Sequence, residues 1–282
     1  MHKKYGLLGH PLGHSFSRKF HNERFERLGI DAEYFNFDLD DISMLPAILR
    51  SETNLCGLNV TIPYKQLVIP FLDELDLVAE RIGAVNTICI HRFSSDENLA
   101  WDSRIPGLWL KGFNTDIIGF RDSIRPLLVK AGILGTDGVV ATGSSALILG
   151  TGGASKAIKV AFEDMGISTA FVSRSARPGR FTYQQLTPEV MTSNRIVVNC
   201  SPVGMFPHVD ECPAIPYSCL GPCHVCYDLI YNPEVTRFLA KAQEKGALTM
   251  SGGAMLEGQA IASYNYWTAD DKLTISRSAS HP

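Results

Sequence analysis

The sequence predicts an α/β protein of two domains, the second of which contains a doubly wound parallel sheet. The chain has 282 residues, which suits two domains of ordinary size. Strand-like and helix-like segments alternate along it, and a glycine-rich turn joins a buried strand to a strongly periodic helix near residue 150. Hydrophobic residues make up 45% of the chain and charged residues 20%, so it is globular rather than disordered.

The bulk properties exclude several classes of partner. The formal net charge of −3 gives no sign of a nucleic acid or an anionic membrane. No apolar run approaches the roughly 18 residues that a membrane helix needs, and glycines and a proline interrupt the N-terminal stretch where a signal peptide would have its core. Seven cysteines, an odd number, do not form the pattern of a secreted disulfide framework. We expect a soluble cytoplasmic protein that binds a small molecule and is a monomer or a homodimer.

No metal site is predicted. Cys223 and Cys226 have CxxC spacing, but no second pair lies at a suitable distance, and the stretch has the pattern of a buried strand, where cysteines are common. His10 and His14 are four residues apart, but the proline and glycine between them argue against a helix that would bring them together.

Hydrophobic periodicity predicts the elements of the first half. A helix at 17–29 would be capped by Ser17, and a helix at 73–83 would place Leu75, Val78 and Ile82 on one face. Strands are predicted from short apolar or period-two patterns at 5–9, 32–39 and 84–90. Residues 92–112 lose periodicity and predict a loop or a hairpin excursion.

The stretch GLNVTIPYK, residues 57–65, predicts a strand with a lysine just beyond its end. Leu58, Val60 and Ile62 alternate with polar residues, so one face of the strand would be apolar and the other polar. Pro63 should end the strand, and Lys65 follows two residues later.

The second half has the clearest pattern. Strands are predicted at 146–150, 169–173, 195–199 and 225–230. A helix follows the first of these strands, and another at 233–246 opens with proline and ends with glycine. Residues 132–145 are rich in Gly, Ser and Thr and predict an exposed connection. Strands and helices in alternation predict a parallel, doubly wound sheet.

The glycine-rich turn ILGTGGASKA predicts a dinucleotide site. Gly150, Gly152 and Gly153 allow close backbone approach to a pyrophosphate, and the helix N-terminus offers N–H groups to it. Ser155 replaces the third glycine of the usual fingerprint and is still small. The alternative is a tight turn with no ligand.

The end of the following strand indicates which dinucleotide binds. An NAD enzyme usually has an acidic residue there, whereas this chain has Ser173, Arg174, Ser175 and Arg177. Guanidinium groups pair well with phosphate, so NADP is favoured over NAD. The alternative is a solvated basic loop.

Small polar residues also lie near predicted strand ends or turns, namely Ser15, Ser17, Asn86, Thr87, Asn114, Thr115, Asp116 and Gln259. Each has a structural alternative. Ser17 could cap a helix, and Asp116 could belong to the cap of the next one. A lone Lys65 would more often be a solvated surface lysine.

Taken in order, eight motifs resemble the shikimate dehydrogenase family from about residue 5 to 267: GHPLGHSFSRKFHN, GLNVTIPYK, IGAVNT, GFNTD, LGTGGASKA, VVNCSPVGM, YDLIYNP and SGGAMLEGQ. The resemblance implies an N-terminal α/β substrate domain with a mixed sheet, made of residues 1–116 with a C-terminal helix at about 252–282. It implies a Rossmann-type NADP domain at 117–251, with a cleft between the domains that opens and closes.

The resemblance also implies an activity and site residues. Members of the family reduce 3-dehydroshikimate to shikimate with NADPH. Lys65 would be the general acid/base with Asp116 beside it, and no metal is implied. The implied substrate residues are Ser15 and Ser17 for the carboxylate, Asn86 and Asp116 for ring hydroxyls, and further Asn59, Thr61, Tyr231 and Gln259. The implied cofactor residues are Gly150, Thr151, Gly152, Gly153, Ala154, Ser173, Arg174, Ser175, Arg177, Leu229 and Gly252.

Two alternatives stay open on this scaffold. One is a relative that also oxidises quinate and prefers NAD, against which the missing acid near Ser173 argues. The other is a non-catalytic sensor of shikimate or quinate, which would be expected to lack Lys65 or Asp116. The chain also departs from the family pattern: the loops at 92–112 and 132–145 are longer than usual, S-R-S replaces N-R-T after the second strand, and the tail after Trp267 matches no motif.

Overall fold

The computed structural model describes residues 2–13, 16–93, 103–141 and 143–269. Four predicted features lie wholly or partly outside the described residues: His14, Ser15, the middle of the 92–112 excursion and the end of the C-terminal helix. The chain divides into two compact units. The first unit runs to Thr115 and resumes at Ala260, and the second is Asp116–Gln259.

These bounds differ from the predicted domains at Asp116 and over residues 252–259, which belong to the second unit. The reason is close packing around Gly119, where an added Cβ would lie 2.3 Å from the carbonyl oxygen of Met255. The start of the C-terminal helix is therefore held by the second unit.

The first unit contains six strands and four short or medium helices ahead of the C-terminal one in its described residues. In chain order they are β1 (Lys3–Gly9), α1 (Phe16–Leu28), β2 (Ala32–Asp38), α2 (Leu45–Ser51), β3 (Leu55–Val60), α3 (Tyr64–Leu67), β4 (Glu74–Leu75), α4 (Leu77–Ile82), β5 (Thr87–Arg92) and β6 (Leu108–Phe113).

The six strands form one mixed sheet in the order β2-β1-β3-β5-β6-β4. β1 is parallel to β2 and β3, β4 is parallel to β6, and β5 is antiparallel to β3 and β6. Residues on opposite faces enter separate cores. Leu8 and Leu58 join an aliphatic cluster, whereas Tyr5, Phe25 and Trp267 form an aromatic one. The predicted mixed sheet is confirmed.

The second unit carries the glycine-rich turn. Its elements are α5 (Asp116–Lys130), β7 (Ser145–Leu149), α6 (Gly153–Asp164), β8 (Ser168–Ser173), β9 (Arg180–Thr182), α7 (Pro188–Ser193), β10 (Ile196–Asn199), β11 (Val225–Asp228), α8 (Arg237–Glu244) and β12 (Leu248–Met250). Helix α9 (Gly253–Ala269) begins in this unit and ends in the first.

All six strands of the second sheet are parallel, in the order β12-β11-β10-β7-β8-β9. Counted from the first strand of the unit, this is the 3-2-1-4-5-6 arrangement of a doubly wound dinucleotide fold. The order reverses between β7 and β10, and a ligand binds such a sheet outside the carboxyl ends of the strands at that point. The predicted doubly wound sheet is confirmed, and its short edge strands β9 and β12 were not predicted.

The prediction for the GLNVTIPYK strand was partly wrong. β3 ends at Val60, and Ile62 beyond it is 75% exposed, so Ile62 does not continue the apolar face. The other face is not solvated, because Asn59 is only 3% exposed. Trp267 of α9 lies directly over β3: an added Cβ on Gly57 would be 2.3 Å from its ring.

Helix caps explain two further differences from the predicted elements, and a third concerns Ser17. Asp76 accepts a hydrogen bond from Val78 N at 2.9 Å and starts α4 there, which leaves Leu75 in β4. Thr236 is the N-cap of α8, so that helix starts at Arg237, four residues later than its proline predicted. Ser17 lies inside the first turn of α1 rather than at its cap.

Among the helices within the described residues, none has the length and apolar character to cross a membrane. Within the same residues, no three His, Cys, Asp or Glu side chains are grouped to hold a metal ion.

Candidate functional site

One edge of the first sheet collects the predicted substrate residues. Because β1 and β3 are parallel, their carboxyl ends lie at the same edge. From there the chain continues after β1 towards Ser17, and after β3 to Thr61 and Lys65.

The antiparallel strands bring two more segments to this edge. β5 begins with Thr87 opposite Asn59, so Asn86, the residue before it, lies where β3 ends. β6 ends with Phe113 opposite Thr87, and Asp116 follows three residues later. Strand direction alone therefore gathers segments that are far apart in sequence.

Main-chain hydrogen bonds fix the base of the Lys65 side chain. Thr61 N donates to Leu8 O at 2.9 Å, and Tyr64 N donates to Thr61 O at 2.8 Å, which forms the turn into α3. Val85 N donates to Lys65 O at 2.7 Å. Lys65 is half-buried, and its carbonyl is bonded to the segment that leads into β5.

Ser17 is buried beside a chain of hydroxyl and amide groups. Its side chain is near the Tyr34 hydroxyl, which donates to Asn59 Oδ1 at 2.8 Å. Burial raises the pKa of Tyr34 well above its ordinary value, so this hydroxyl stays protonated as a donor.

Asn59 and Asn86 are both buried and bonded to the protein. Asn59 Nδ2 donates to Ser263 Oγ at 2.8 Å and to Asn86 O at 3.2 Å. Thr115 N donates to Asn86 Oδ1 at 2.7 Å, and Asn86 Nδ2 donates to Thr115 Oγ1 at 3.0 Å. Both amides therefore help to build this edge, and their contact with a substrate stays a prediction.

The remaining predicted substrate residues belong to the second unit. Asp116 is the buried first residue of α5. Tyr231 is 46% exposed in the loop after β11. Gln259 is buried in α9, where its Nε2 donates to Leu256 O at 2.9 Å.

The predicted cofactor residues lie at the carboxyl ends of four strands of the second sheet. Parallel strands place all these ends at one edge. After β7 come Gly150, Thr151, Gly152, Gly153 and Ala154; at the end of β8 are Ser173, Arg174, Ser175 and Arg177; Leu229 follows β11, and Gly252 follows β12.

The glycine-rich turn has the geometry that a pyrophosphate requires. Gly150 has φ +109°, and an added Cβ would lie 3.2 Å from the Cys200 carbonyl, so a side chain would be strained there. Gly152 is the N-cap of α6, and an added Cβ would meet no atom within 4 Å. The turn therefore leaves open space before the helix N-terminus, where a dinucleotide phosphate fits.

The segment after β8 presents positive charge. Arg174 and Arg177 are exposed, and no carboxylate occurs between Ser173 and Arg180. Ser173 Oγ donates to the Ser175 carbonyl at 2.6 Å, which shapes the start of the segment. Exposed guanidinium groups beside the second strand suit a 2′-phosphate.

Leu229 and Gly252 are in direct contact. Gly252 N donates to Ile230 O at 3.0 Å, and an added Cβ on Gly252 would lie 2.1 Å from Leu229 O. Only glycine permits this close approach of the two loops that leave β11 and β12.

Sequence reasoning missed a buried carboxylate in the second unit. Asp228 accepts hydrogen bonds from Thr236 Oγ1 at 2.6 Å, Asn199 Nδ2 at 3.0 Å and Ile230 N at 3.1 Å. Burial raises its pKa to about 6, while these hydrogen bonds oppose the rise. It also missed Tyr34 and Ser263 in the first unit. The sequence signal that could have identified these residues is an isolated polar residue within an apolar strand or helix.

A parallel sheet with a glycine-rich turn at its switch point, joined to a mixed α/β unit with polar residues gathered at one edge, defines the class. This is a two-domain protein with a Rossmann-type dinucleotide-binding unit.

Comparisons with known proteins give the family. The family model described as the shikimate dehydrogenase substrate binding domain matches residues 7–88. The shikimate dehydrogenase (NADP(+)) of Desulforamulus reducens is 34% identical, over 93% of this chain and 89% of that protein. The chain belongs to the shikimate dehydrogenase family.

Solved structures agree with this assignment. A chorismate mutase/shikimate 5-dehydrogenase fusion protein from Clostridium acetobutylicum matches with a TM-score of 0.77 and 31% identity, over 95% of this chain and 91% of that chain. Shikimate 5-dehydrogenase from Thermus thermophilus, solved with NADP(H) and shikimate, matches with a TM-score of 0.73 and 28% identity, over 95% and 94%.

Proposed function

We propose that this chain is an NADP-dependent oxidoreductase that interconverts 3-dehydroshikimate and shikimate, a step of aromatic amino acid biosynthesis. One observation carries the proposal. Hydroxyl and amide side chains and Lys65 gather at one edge of the first sheet, in a chain that matches a shikimate dehydrogenase over almost its whole length.

Shikimate has one carboxylate and three ring hydroxyls, which polar side chains can recognise. We assign Ser15 and Ser17 to the carboxylate and Asn86 and Asp116 to ring hydroxyls, with further contacts from Asn59, Thr61, Tyr231 and Gln259. A site built from such groups rejects an analogue that lacks a hydroxyl, because buried polar groups are then left unpaired.

We assign Lys65 as the general acid/base, with Asp116 as the second catalytic residue. Reduction of a ketone leaves an alkoxide, so a donor must deliver a proton as the charge develops. The ammonium group of Lys65 can donate that proton and recover it in the reverse direction. The main-chain hydrogen bonds around Lys65 limit where its side chain can reach.

We assign the second unit to NADP. The space before α6 fits the pyrophosphate, and Arg174 and Arg177 suit the 2′-phosphate. The dihydronicotinamide of the bound cofactor would supply the hydride.

The compartment is inferred from the cysteines. All seven cysteines lie in described residues, and none is in a disulfide. Cysteines in this number that form no disulfide are typical of the reducing cytoplasm, which is where we place the protein.

The test is to follow NADPH, and separately NADH, by absorbance with 3-dehydroshikimate as substrate. We expect fast loss of NADPH, a decrease of about 10²- to 10⁴-fold in kcat for Lys65→Ala, and no change for the exposed-surface control Lys245→Ala. No turnover with either cofactor but tight shikimate binding would instead indicate a sensor.

A second pair of variants tests the cofactor assignment. The double variant Arg174→Ala/Arg177→Ala should raise KM for NADPH about tenfold or more and leave KM for NADH unchanged. Arg180→Ala, which removes a guanidinium 5.8 Å above the Phe171 ring, is the matched control. A native preference for NADH would overturn the NADP assignment and leave the reaction standing.

A further inference from the structure

We infer that Ser263 is a positioning residue for the substrate edge of the first unit, an inference that rests on the proposed function. Ser263 is fully buried in α9. Its hydroxyl contacts Asn59 Nδ2 at 2.8 Å, Thr87 Oγ1 at 2.7 Å and Thr115 Oγ1 at 3.0 Å. A serine hydroxyl both donates and accepts hydrogen bonds, so it can bond to an amide and to other hydroxyls at once.

Each partner of Ser263 adjoins a residue assigned to substrate. Asn59 lies two residues before Thr61 on the segment that leads to Lys65. Thr87 directly follows Asn86, and Thr115 directly precedes Asp116. One hydroxyl from a distant helix therefore links three separate segments at the point where each one turns towards the proposed site.

The orientation of the Asn86 side chain depends on the same group of hydroxyls. Thr87 Oγ1 donates to Asn86 Oδ1 at 3.0 Å, and Thr115 Oγ1 lies 3.1 Å from the same oxygen. Thr87 and Thr115 are also 3.2 Å from each other. The contacts of Ser263 with both threonines hold this arrangement from the side of α9.

The network extends to the other end of the proposed site through Tyr34. The Tyr34 hydroxyl donates to Asn59 Oδ1, while Asn59 Nδ2 donates to Ser263. Ser17 lies close enough to that tyrosine to affect its hydroxyl. Tyr34 and the segment before Asp116 are thus joined by one buried chain of hydrogen bonds, whose members respond together when one is removed.

The Ser263 hydroxyl reaches three side chains outside its own helix.

The test compares Ser263→Ala with Tyr34→Phe and with the double variant in steady-state kinetics. We expect each single variant to raise KM for shikimate about tenfold and to leave KM for NADP+ unchanged, since the network lies within the first unit. The double variant should raise KM for shikimate by less than the product of the two single-variant increases, because both residues act through Asn59. The matched control is Ser123→Ala, which removes a helix hydroxyl 2.7 Å from the Tyr227 hydroxyl in the second unit.

A positioning role and a purely structural role give different results. If Ser263→Ala lowers only the melting temperature and the active fraction, with KM for shikimate unchanged, the inference is overturned while the proposed function stands. If Ser263→Ala does not fold, Tyr34→Phe decides alone, and an unchanged KM for shikimate overturns the inference. A wild-type protein that neither turns over nor binds shikimate by calorimetry overturns both.

Discussion

The two units build their candidate sites from different parts of the chain. In the first unit the site edge rests on side chains: buried amides and hydroxyls such as Asn59, Asn86 and Ser263 bond to one another. In the second unit it rests on the main chain: the positive φ of Gly150, the open space at Gly152 and the close approach of Gly252 to Leu229. The candidate site of the first unit therefore depends on particular polar side chains, whereas that of the second depends on glycines, which have no side chain.

The tryptophans allow the two units to be observed separately. Trp109 and Trp267 belong to the first unit, and the sequence of the second unit contains no tryptophan. Their fluorescence reports unfolding of that unit, and hydrogen exchange read by mass spectrometry reports both.

The largest effect is expected at the glycine turn. Gly150→Ala should weaken NADPH binding at least 100-fold and destabilise the second unit, because alanine is strained at φ +109° and its Cβ would meet Cys200. Shikimate binding would persist. Gly152→Ala, with room for its Cβ, should weaken NADPH binding without loss of stability. Fluorescence titration with NADPH and hydrogen exchange distinguish the two; equal destabilisation by both variants would contradict the main-chain interpretation.

The matching change in the first unit is Asn59→Ala. It should lower the free energy of unfolding by about 3 kcal/mol, because the Tyr34 hydroxyl and Ser263 each lose a buried partner. Thr61→Ala, at a half-buried position two residues later, should raise KM for shikimate with little change in stability. Urea unfolding followed by tryptophan fluorescence measures the difference. A stable Asn59→Ala protein would show that the network is not needed for folding.

The buried carboxylate of Asp228 should stabilise the folded second unit at acid pH. Burial raises the pKa of Asp228 from 3.8 to about 6, so the folded form binds its proton more tightly than the unfolded form. Its contribution is full below pH 4 and is lost as the pH rises to 6, by about 2 to 3 kcal/mol. Hydrogen exchange in the second unit at pH 4.5 and 6.5, corrected for intrinsic rates, should show this difference in the wild type but not in Asp228→Asn.

The buried histidine of the first unit should have the opposite effect. Burial, with a smaller contribution from Arg24, lowers the pKa of His21 to about 3, so the folded form resists protonation. Stability is full above pH 6.5 and falls by about 2 kcal/mol as the pH drops to 5. His21→Phe keeps the stacking on Tyr34, whose ring centroid is 4.5 Å away, and should flatten the profile of tryptophan-detected unfolding. If the dependence of stability on pH were unchanged in His21→Phe, a group other than His21 would be responsible for it.

Sequence patterns were most informative where structure is local. The strand at β7, the periodic helix α6 and the glycine turn between them follow from residues within about twenty positions of each other. The prediction failed at two element ends. Ile62 continues the period-two pattern of β3 but lies beyond its last residue, and Leu75 fits the helical period of α4 but lies in β4, before that helix begins. N-caps at Asp76 and Thr236 set the starts of α4 and α8, which periodicity and a proline, respectively, had placed too early.

By itself the sequence determined the fold class, the parallel sheet and the family, because turn chemistry, periodicity and ordered motifs are properties of short segments. Only the tertiary structure decided that Asn59 is buried and that Ser263 is its partner. These residues are separated by 204 positions, and α9 brings them together by covering the face of β3 that the sequence pattern left polar. Such contacts depend on which helix covers which strand, and no local pattern records that.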